Sequence, residues 1–264
     1  MTDYSPQRTV QRRNVFEESA ETYHRLRPPY PTELFDDLER LAGLQPGSVV
    51  VEVGSGTGLG TAGLVGRGYS LACIEPAEKM AAIARANLGD AFEHVLTRFE
   101  DFEAPPGSID LVFAATSWLW VDPAVGFEHA AELVGRDGHL AHAWQTLVDL
   151  GPEGLEERLD VVYQAAAPEL SRTFQSQRTV ADGWAERIAE SGYFAAPQIL
   201  EYCYERSFDA ASFVGSASTY GMHAGLEPAR RKALDDGIIA VIDNEFGGQA
   251  TRYERSLLFV APTR

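Results

Sequence analysis

Between residues 48 and 145 the chain alternates short apolar runs with segments of helical spacing. The runs are Val49-Val50-Val51-Glu52-Val53, Ser70 to Ile74, His94 to Thr97, Ile109 to Ala115 and Gly138 to Trp144. Each suits a strand, the first of them fully buried. Helices are expected from the glycine-rich stretch to Arg67, from Ala77 to Asn87 and from Gly126 to Leu133. Strand followed by helix, repeated, is the pattern of a parallel, doubly wound sheet. Upstream, Leu34, Phe35, Leu38 and Leu41 share one face of a helix over Glu33 to Leu41, which Thr32 can cap. It follows Arg27-Pro28-Pro29-Tyr30-Pro31, where proline forbids helix and fixes an extended link.

The period changes after residue 145. Residues 146–178 read as a helical insertion carrying Leu155, Leu159, Val162 and Tyr163, and Val180 to Ser191 as another helix. A strand is expected from Ile199 to Phe208, helices over 210–243, and a last strand from Tyr253 to Ala261. The expected organisation is therefore an N-terminal lid and first helix over 1–47 and a core over 48–262, with cap insertions at about 146–178 and 210–243.

Composition narrows the partners. Apolar residues make up 45% of the 264, enough for a sizeable core, while 39 acidic against 22 basic residues leave a net charge of −17. A polyanion binder needs a basic stripe, and the longest here is Arg230-Arg231-Lys232, so nucleic acid is a disfavoured substrate. Cys73 and Cys203 lie in apolar runs and read as buried thiols without metal or disulfide spacing. With no signal-peptide pattern or membrane-length apolar run, a cytoplasmic protein is expected.

The chemistry concentrates at Gly54-Ser55-Gly56-Thr57-Gly58, directly after the first strand. Glycines let the backbone turn tightly and approach a ligand, and the helix that follows presents free N–H groups to it. A dinucleotide fingerprint would place glycine at the sixth position from Gly54, where Leu59 stands. The literal match at Gly58-Leu59-Gly60-Thr61-Ala62-Gly63 begins too late, and the lysine of a phosphate loop is absent.

The remaining pattern, Glu52 followed by Gly54, Gly56 and Gly58, resembles the class I S-adenosylmethionine-dependent methyltransferases. Glu75, 17 residues after Gly58, stands where that family has the carboxylate that accepts both ribose hydroxyls. Pro76-Ala77-Glu78-Lys79-Met80 resembles the stretch that follows it, with Met80 near the adenine. Arg98-Phe99-Glu100-Asp101-Phe102 is similar to the adenine-reading segment; the resemblance implies a backbone N–H near Phe99, and Glu100 only conditionally, because Arg98 replaces the usual aspartate. Asp110 to Ala115, with Trp118 and Trp120, resembles the fourth-strand motif and its tryptophan. Phe16, Ala20, Tyr23, Arg27-Pro28 and Tyr30-Pro31 look like the lid of the type 11 subgroup, with Tyr23 and Arg27 over the cofactor.

The resemblance implies a Rossmann-like, mostly parallel seven-stranded α/β sheet whose last strand is antiparallel. It implies S-adenosyl-L-methionine as cofactor, S-adenosyl-L-homocysteine as product, and contacts from Tyr23, Arg27, Glu52, Gly54, Ser55, Gly56, Glu75, Pro76, Met80, Phe99, Glu100, Ala114 and Ala115. The acceptor pocket draws on Trp118, Trp120, His142, Trp144 and His223. Here the residues leave alternatives open: the tryptophans can be packing walls, and His142, alternating with Leu140 and Trp144, can be a core histidine. No catalytic base is assigned and no metal is expected. An acidic surface and an aromatic-lined pocket favour a neutral or cationic small-molecule acceptor, an anionic one needing Arg172 or Arg178 in the pocket. A methyltransferase acting on RNA or protein, and a binder without transfer, are the competing readings.

Overall fold

The computed structural model describes residues 20–171, 183–219, 223 and 225–264. Residues 20–26 form a helix, α1, and the other elements follow in chain order. They are α2 (Thr32–Ala42), β1 (Val49–Val53), α3 (Thr61–Leu64), β2 (Ser70–Ile74), α4 (Glu78–Leu88), β3 (Glu93–Val95), β4 (Leu111–Ala115) and α5 (Gly126–Val134). Then come β5 (His139–Gly151), α6 (Leu155–Ala166), α7 (Trp184–Glu190), β6 (Gln198–Asp209), α8 (Ala210–Ser218), α9 (Pro228–Glu245) and β7 (Gln249–Pro262).

Among the described residues the strands form one seven-stranded sheet in the order β3-β2-β1-β4-β5-β7-β6. β1, β2, β3, β4 and β5 pair in parallel, and β7 runs antiparallel to both β5 and β6. The expected architecture is present. Its strand order reverses between β1 and β4, where a doubly wound sheet opens a ligand crevice at the carboxyl ends.

Packing follows from period two. One face of the sheet presents Val51, Val112, Leu140 and Phe259 to a cluster that includes Leu133 of α5 and Ile188 of α7. The opposite face presents Val50, Leu111, Ala141 and Leu258 to Leu34 and Leu38 of α2. A third cluster, with Leu159 of α6, Phe213 of α8 and Ile238 of α9, stands above the carboxyl end of β5 and forms the cap.

Several local expectations are corrected. β5 continues through Thr146 to Gly151, so the cap insertion begins after the strand, and residues 172–178 of it lie outside the described residues. The extension exists because β7 pairs with it, Leu147 opposite Glu254 and Leu150 opposite Arg252. The helix after the glycine loop spans only Thr61–Leu64. The Phe35 ring covers Gly63 there: a Cβ on Gly63 would lie 2.0 Å from it. Thr32 begins α2 inside the helix, and Pro31 holds the cap position. Cys73 is buried as expected, but Cys203 is exposed, because alternate residues of the outermost strand β6 face solvent.

Candidate active site

The site is assembled where β1, β2 and β4 end. Gly54, Gly56 and Gly58 all take left-handed φ values, +65°, +58° and +87°, which an L side chain resists. The amides of Gly54 and Ser55 both donate to the Ile74 carbonyl, at 2.8 and 3.1 Å, and so tie the loop to the end of β2. At that end Glu75, only 8% exposed, spreads its carboxylate across the gap. Oε2 accepts the Gly56 N–H at 2.9 Å and Oε1 accepts the Ala77 N–H at 2.8 Å. Each oxygen is held in a fixed orientation by a backbone donor.

Glu52 plays a different part. It is fully buried beneath the loop, where Oε2 accepts from the Thr61 hydroxyl at 2.6 Å and from the Cys73 thiol at 3.6 Å. Oε1 has no hydrogen-bond partner and faces Gly60, on which a Cβ would lie 2.4 Å away. Burial pushes its carboxyl up to about 7, the Thr61 and Cys73 hydrogen bonds oppose this, and the Glu75 charge adds to it. Burial, and then Glu52 itself, raises the Cys73 thiol well above its ordinary range. Glu52 therefore supports the cradle from below and shows no surface to solvent.

Met80 is buried against Ala20 and Ala77, with Tyr23 of α1 packed beside it, so α1 lies above the loop. Arg27 stacks over Tyr23 at 5.1 Å from the ring centroid and donates to the Thr219 carbonyl at 3.3 Å. Arg206 donates to the Leu26 carbonyl at 3.0 Å, and Gln145 reaches the carbonyls of Pro28 and Pro29. Residues 20–31 thus form a described lid bound both to α4 and to the cap; Phe16 of the expected lid lies outside the described residues. Pro76 leads into α4 at the foot of this arrangement.

Phe99 is buried against Trp118 and His129, with ring centroids 5.4 and 5.0 Å apart. Glu100 Oε1 is paired with Arg98 at 2.8 Å and accepts the Asp122 N–H at 3.0 Å. Any ligand contact from Glu100 falls to its other oxygen. Ala114 is buried and Ala115 half-buried at the end of β4, directly beside Ala143 of β5. There the chain turns sharply at Thr116, whose φ is +56°. The Ser117 hydroxyl then donates to the Val53 carbonyl, and a Cβ on Gly54 would lie 2.6 Å from that of Ser117.

The acceptor-side candidates divide. Trp118, His142, Trp144 and Trp184 form one buried aromatic group, in which His142 lies 4.9 Å from Trp118 and 5.2 Å from Trp184. Neither ring nitrogen of His142 has a hydrogen-bond partner, and burial lowers its pKa to about 3. Trp120 is 37% exposed and stands at the margin. His223 belongs to the cap, bonded to the Tyr163 hydroxyl at 2.8 Å; burial, then the charges of Arg252 and Arg231, lowers its pKa to about 4. Sequence reasoning missed Thr61, Thr116, Ser117 and Gln145, and in the last strand the buried Arg252 and Glu254. Threonine at +56° left no sequence signal; Tyr30 was visible inside its proline-flanked link. Among the described residues no group of histidine, cysteine or acidic side chains is arranged to hold a metal ion. No helix there is long and apolar enough to cross a membrane.

Sheet order and cradle define the class I methyltransferase fold. Residues 51–142 match the methyltransferase-domain family of type 11. An uncharacterized methyltransferase of Mycobacterium tuberculosis is 33% identical over 141 residues, 52% of this chain and 56% of that protein. One from Geobacillus is 36% identical over 104 residues, 37% of this chain and 49% of that protein. The chain thus spans about half the length of the curated relatives it matches. A structure assigned as a type II methyltransferase from Anaeromyxobacter dehalogenans superposes with a TM-score of 0.59 at 19% identity, covering 89% of this chain and 97% of its own. Haemonchus contortus phosphoethanolamine N-methyltransferase 2, complexed with phosphomonomethylethanolamine and S-adenosylhomocysteine, gives 0.53 at 13% identity, covering 99% and 60%.

Proposed function

We propose that the protein binds S-adenosyl-L-methionine and transfers its methyl group to a small-molecule acceptor in the cytoplasm. The observation that carries this reading is the Glu75 carboxylate, fixed by the Gly56 and Ala77 amides at the edge of a left-handed glycine loop. Vicinal hydroxyls need two acceptor oxygens side by side, and these are oriented before any ligand arrives. The glycine loop fits the methionine part, because a Cβ on Gly56 would fill the space beside Met80 Cε, 3.5 Å away. Met80 and Phe99 offer apolar walls to a purine, and Arg27 in the lid suits a ligand carboxylate. In the complex mentioned above, the Haemonchus enzyme holds S-adenosylhomocysteine on the same fold.

When bound, the cofactor would supply a methyl group already activated by sulfonium charge. The protein's own task is then alignment and exclusion of water. The lid closes the cradle from above, and the Trp118–His142–Trp144 group walls the side beyond β4 and β5. Neutral His142 neither donates a charge nor repels a cation. A net charge of −17 weighs against polyanionic substrates. Incubation of the protein with methyl-labelled cofactor and separated small-molecule, protein and RNA fractions tests the reading. Label in a small molecule supports it; label confined to macromolecules contradicts it.

A further inference from the structure

Thr116 is the one non-glycine residue among those described whose φ is left-handed, at +56°. A β-branched side chain disfavours that region strongly, so the surroundings must hold it there. Its N–H donates to the Ala143 carbonyl at 2.8 Å, which anchors the amide to β5. Its hydroxyl shares a hydrogen bond of 2.5 Å with the hydroxyl of Tyr30, 86 residues earlier in the lid, and accepts weakly from the Gln145 N–H at 3.4 Å. Gln145 in turn donates from its side chain to Pro28 and Pro29, at 3.3 and 3.1 Å. The lid and the ends of β4 and β5 therefore meet in one knot of hydrogen bonds.

The knot touches the cradle. Ser117, next in the chain, bonds the Val53 carbonyl and occupies the space that a side chain on Gly54 would need. Through that hydrogen bond the 116–117 turn is tied to Val53, the residue before the first glycine of the loop. The Tyr30 ring is fixed independently, edge-on to Phe35 of α2 at 6.3 Å, so its hydroxyl is presented from a rigid support. Glycine at position 116 would adopt the turn unaided. Threonine makes the turn conditional on a partner, and that partner lies in the lid.

We propose that Tyr30 is a positioning residue: its hydroxyl holds Thr116 in the left-handed turn, so that lid docking and the shape of the cofactor cradle are one event. The link to a cofactor rests on the methyltransferase reading given above; the link between Tyr30 and the turn does not.

The test compares wild type, Tyr30→Phe and Tyr30→Phe combined with Thr116→Gly. It follows amide exchange at residue 116 by NMR and titrates S-adenosylhomocysteine by calorimetry. Tyr30→Phe keeps the ring on Phe35 and should speed exchange at residue 116 by about tenfold, weakening cofactor-product binding by a similar factor. Adding Thr116→Gly should restore most of both, because glycine holds the turn without help. Unchanged exchange in Tyr30→Phe, failure of that variant to fold, or no rescue by glycine would each overturn the proposal. Wild-type protein that does not bind S-adenosylhomocysteine would overturn the methyltransferase reading instead, and the exchange comparison would still decide the role of Tyr30.

Discussion

The Glu75 carboxylate and the Gly56 amide meet at 2.9 Å, joining the end of β2 to the middle of the glycine loop. The carboxylate shapes the loop, and on the proposed function it also accepts from the ligand. Glu75→Gln preserves size but removes the charge and one acceptor. S-Adenosylhomocysteine should bind it about tenfold to a hundredfold more weakly, as expected for losing a charge-assisted pair. Calorimetry on both proteins checks this, and equal affinity would remove Glu75 from the site.

Glu52 predicts a pH effect of defined sign. Its carboxyl titrates at about 7 in the folded protein against a reference of 4.5, so the folded state holds the proton more tightly. The stabilisation from that proton is complete below the reference value and is lost as pH rises toward 7. Glu52→Gln imitates the protonated form, so its melting temperature should fall less than that of wild type between about pH 5 and pH 8. Parallel melting curves across that range would contradict the assignment.

Gly60 offers a steric test without a change of backbone region. A Cβ there would lie 2.4 Å from Glu52 Oε1 and 2.7 Å from the Ala115 Cβ. Gly60→Ala should destabilise by about 1–3 kcal/mol in denaturant unfolding, the usual range for overpacking a filled site. No measurable change would mean that the loop rests less tightly on β1 and β4.

The parallel half of the fold was legible because its information is local. Val49 to Val53 is apolar and β-branched, the glycines follow at once, and Glu75 ends the next run. The second half was less legible because its elements depend on distant partners. Thr146 to Gly151 carries both polar and apolar residues and becomes strand only by pairing with β7 across about a hundred residues. Arg252 and Glu254 are buried mid-strand because they meet each other, Arg206 and Ser216, none of which a linear pattern brings together. The short α3 likewise depends on Phe35, far upstream, covering Gly63. The order of loop, Glu75 and residues 20–31 along the candidate site was visible in the sequence; Thr116 and its tie to Tyr30 were not, since the strained backbone is a tertiary property.

His142 should show the opposite pH behaviour. Its pKa is lowered by burial from 6.5 to about 3, so the unfolded chain takes up a proton that the folded site refuses. The stability this withholds is present above the reference value and is lost as pH falls below it. His142→Phe removes the titrating group within the same aromatic enclosure. Its melting temperature should drop less than that of wild type between about pH 7 and pH 4.5. An equal drop would show that the imidazole is solvated or bonded.

On the proposed function, the cradle of Gly54, Gly56 and Glu75 receives S-adenosylmethionine. Its most direct test is a calorimetric titration of the intact chain with S-adenosylmethionine, beside an identical titration with NAD. Saturable binding of one S-adenosylmethionine per chain, and none of NAD, is the expected result. No heat with S-adenosylmethionine, or saturable binding of NAD in its place, would contradict it.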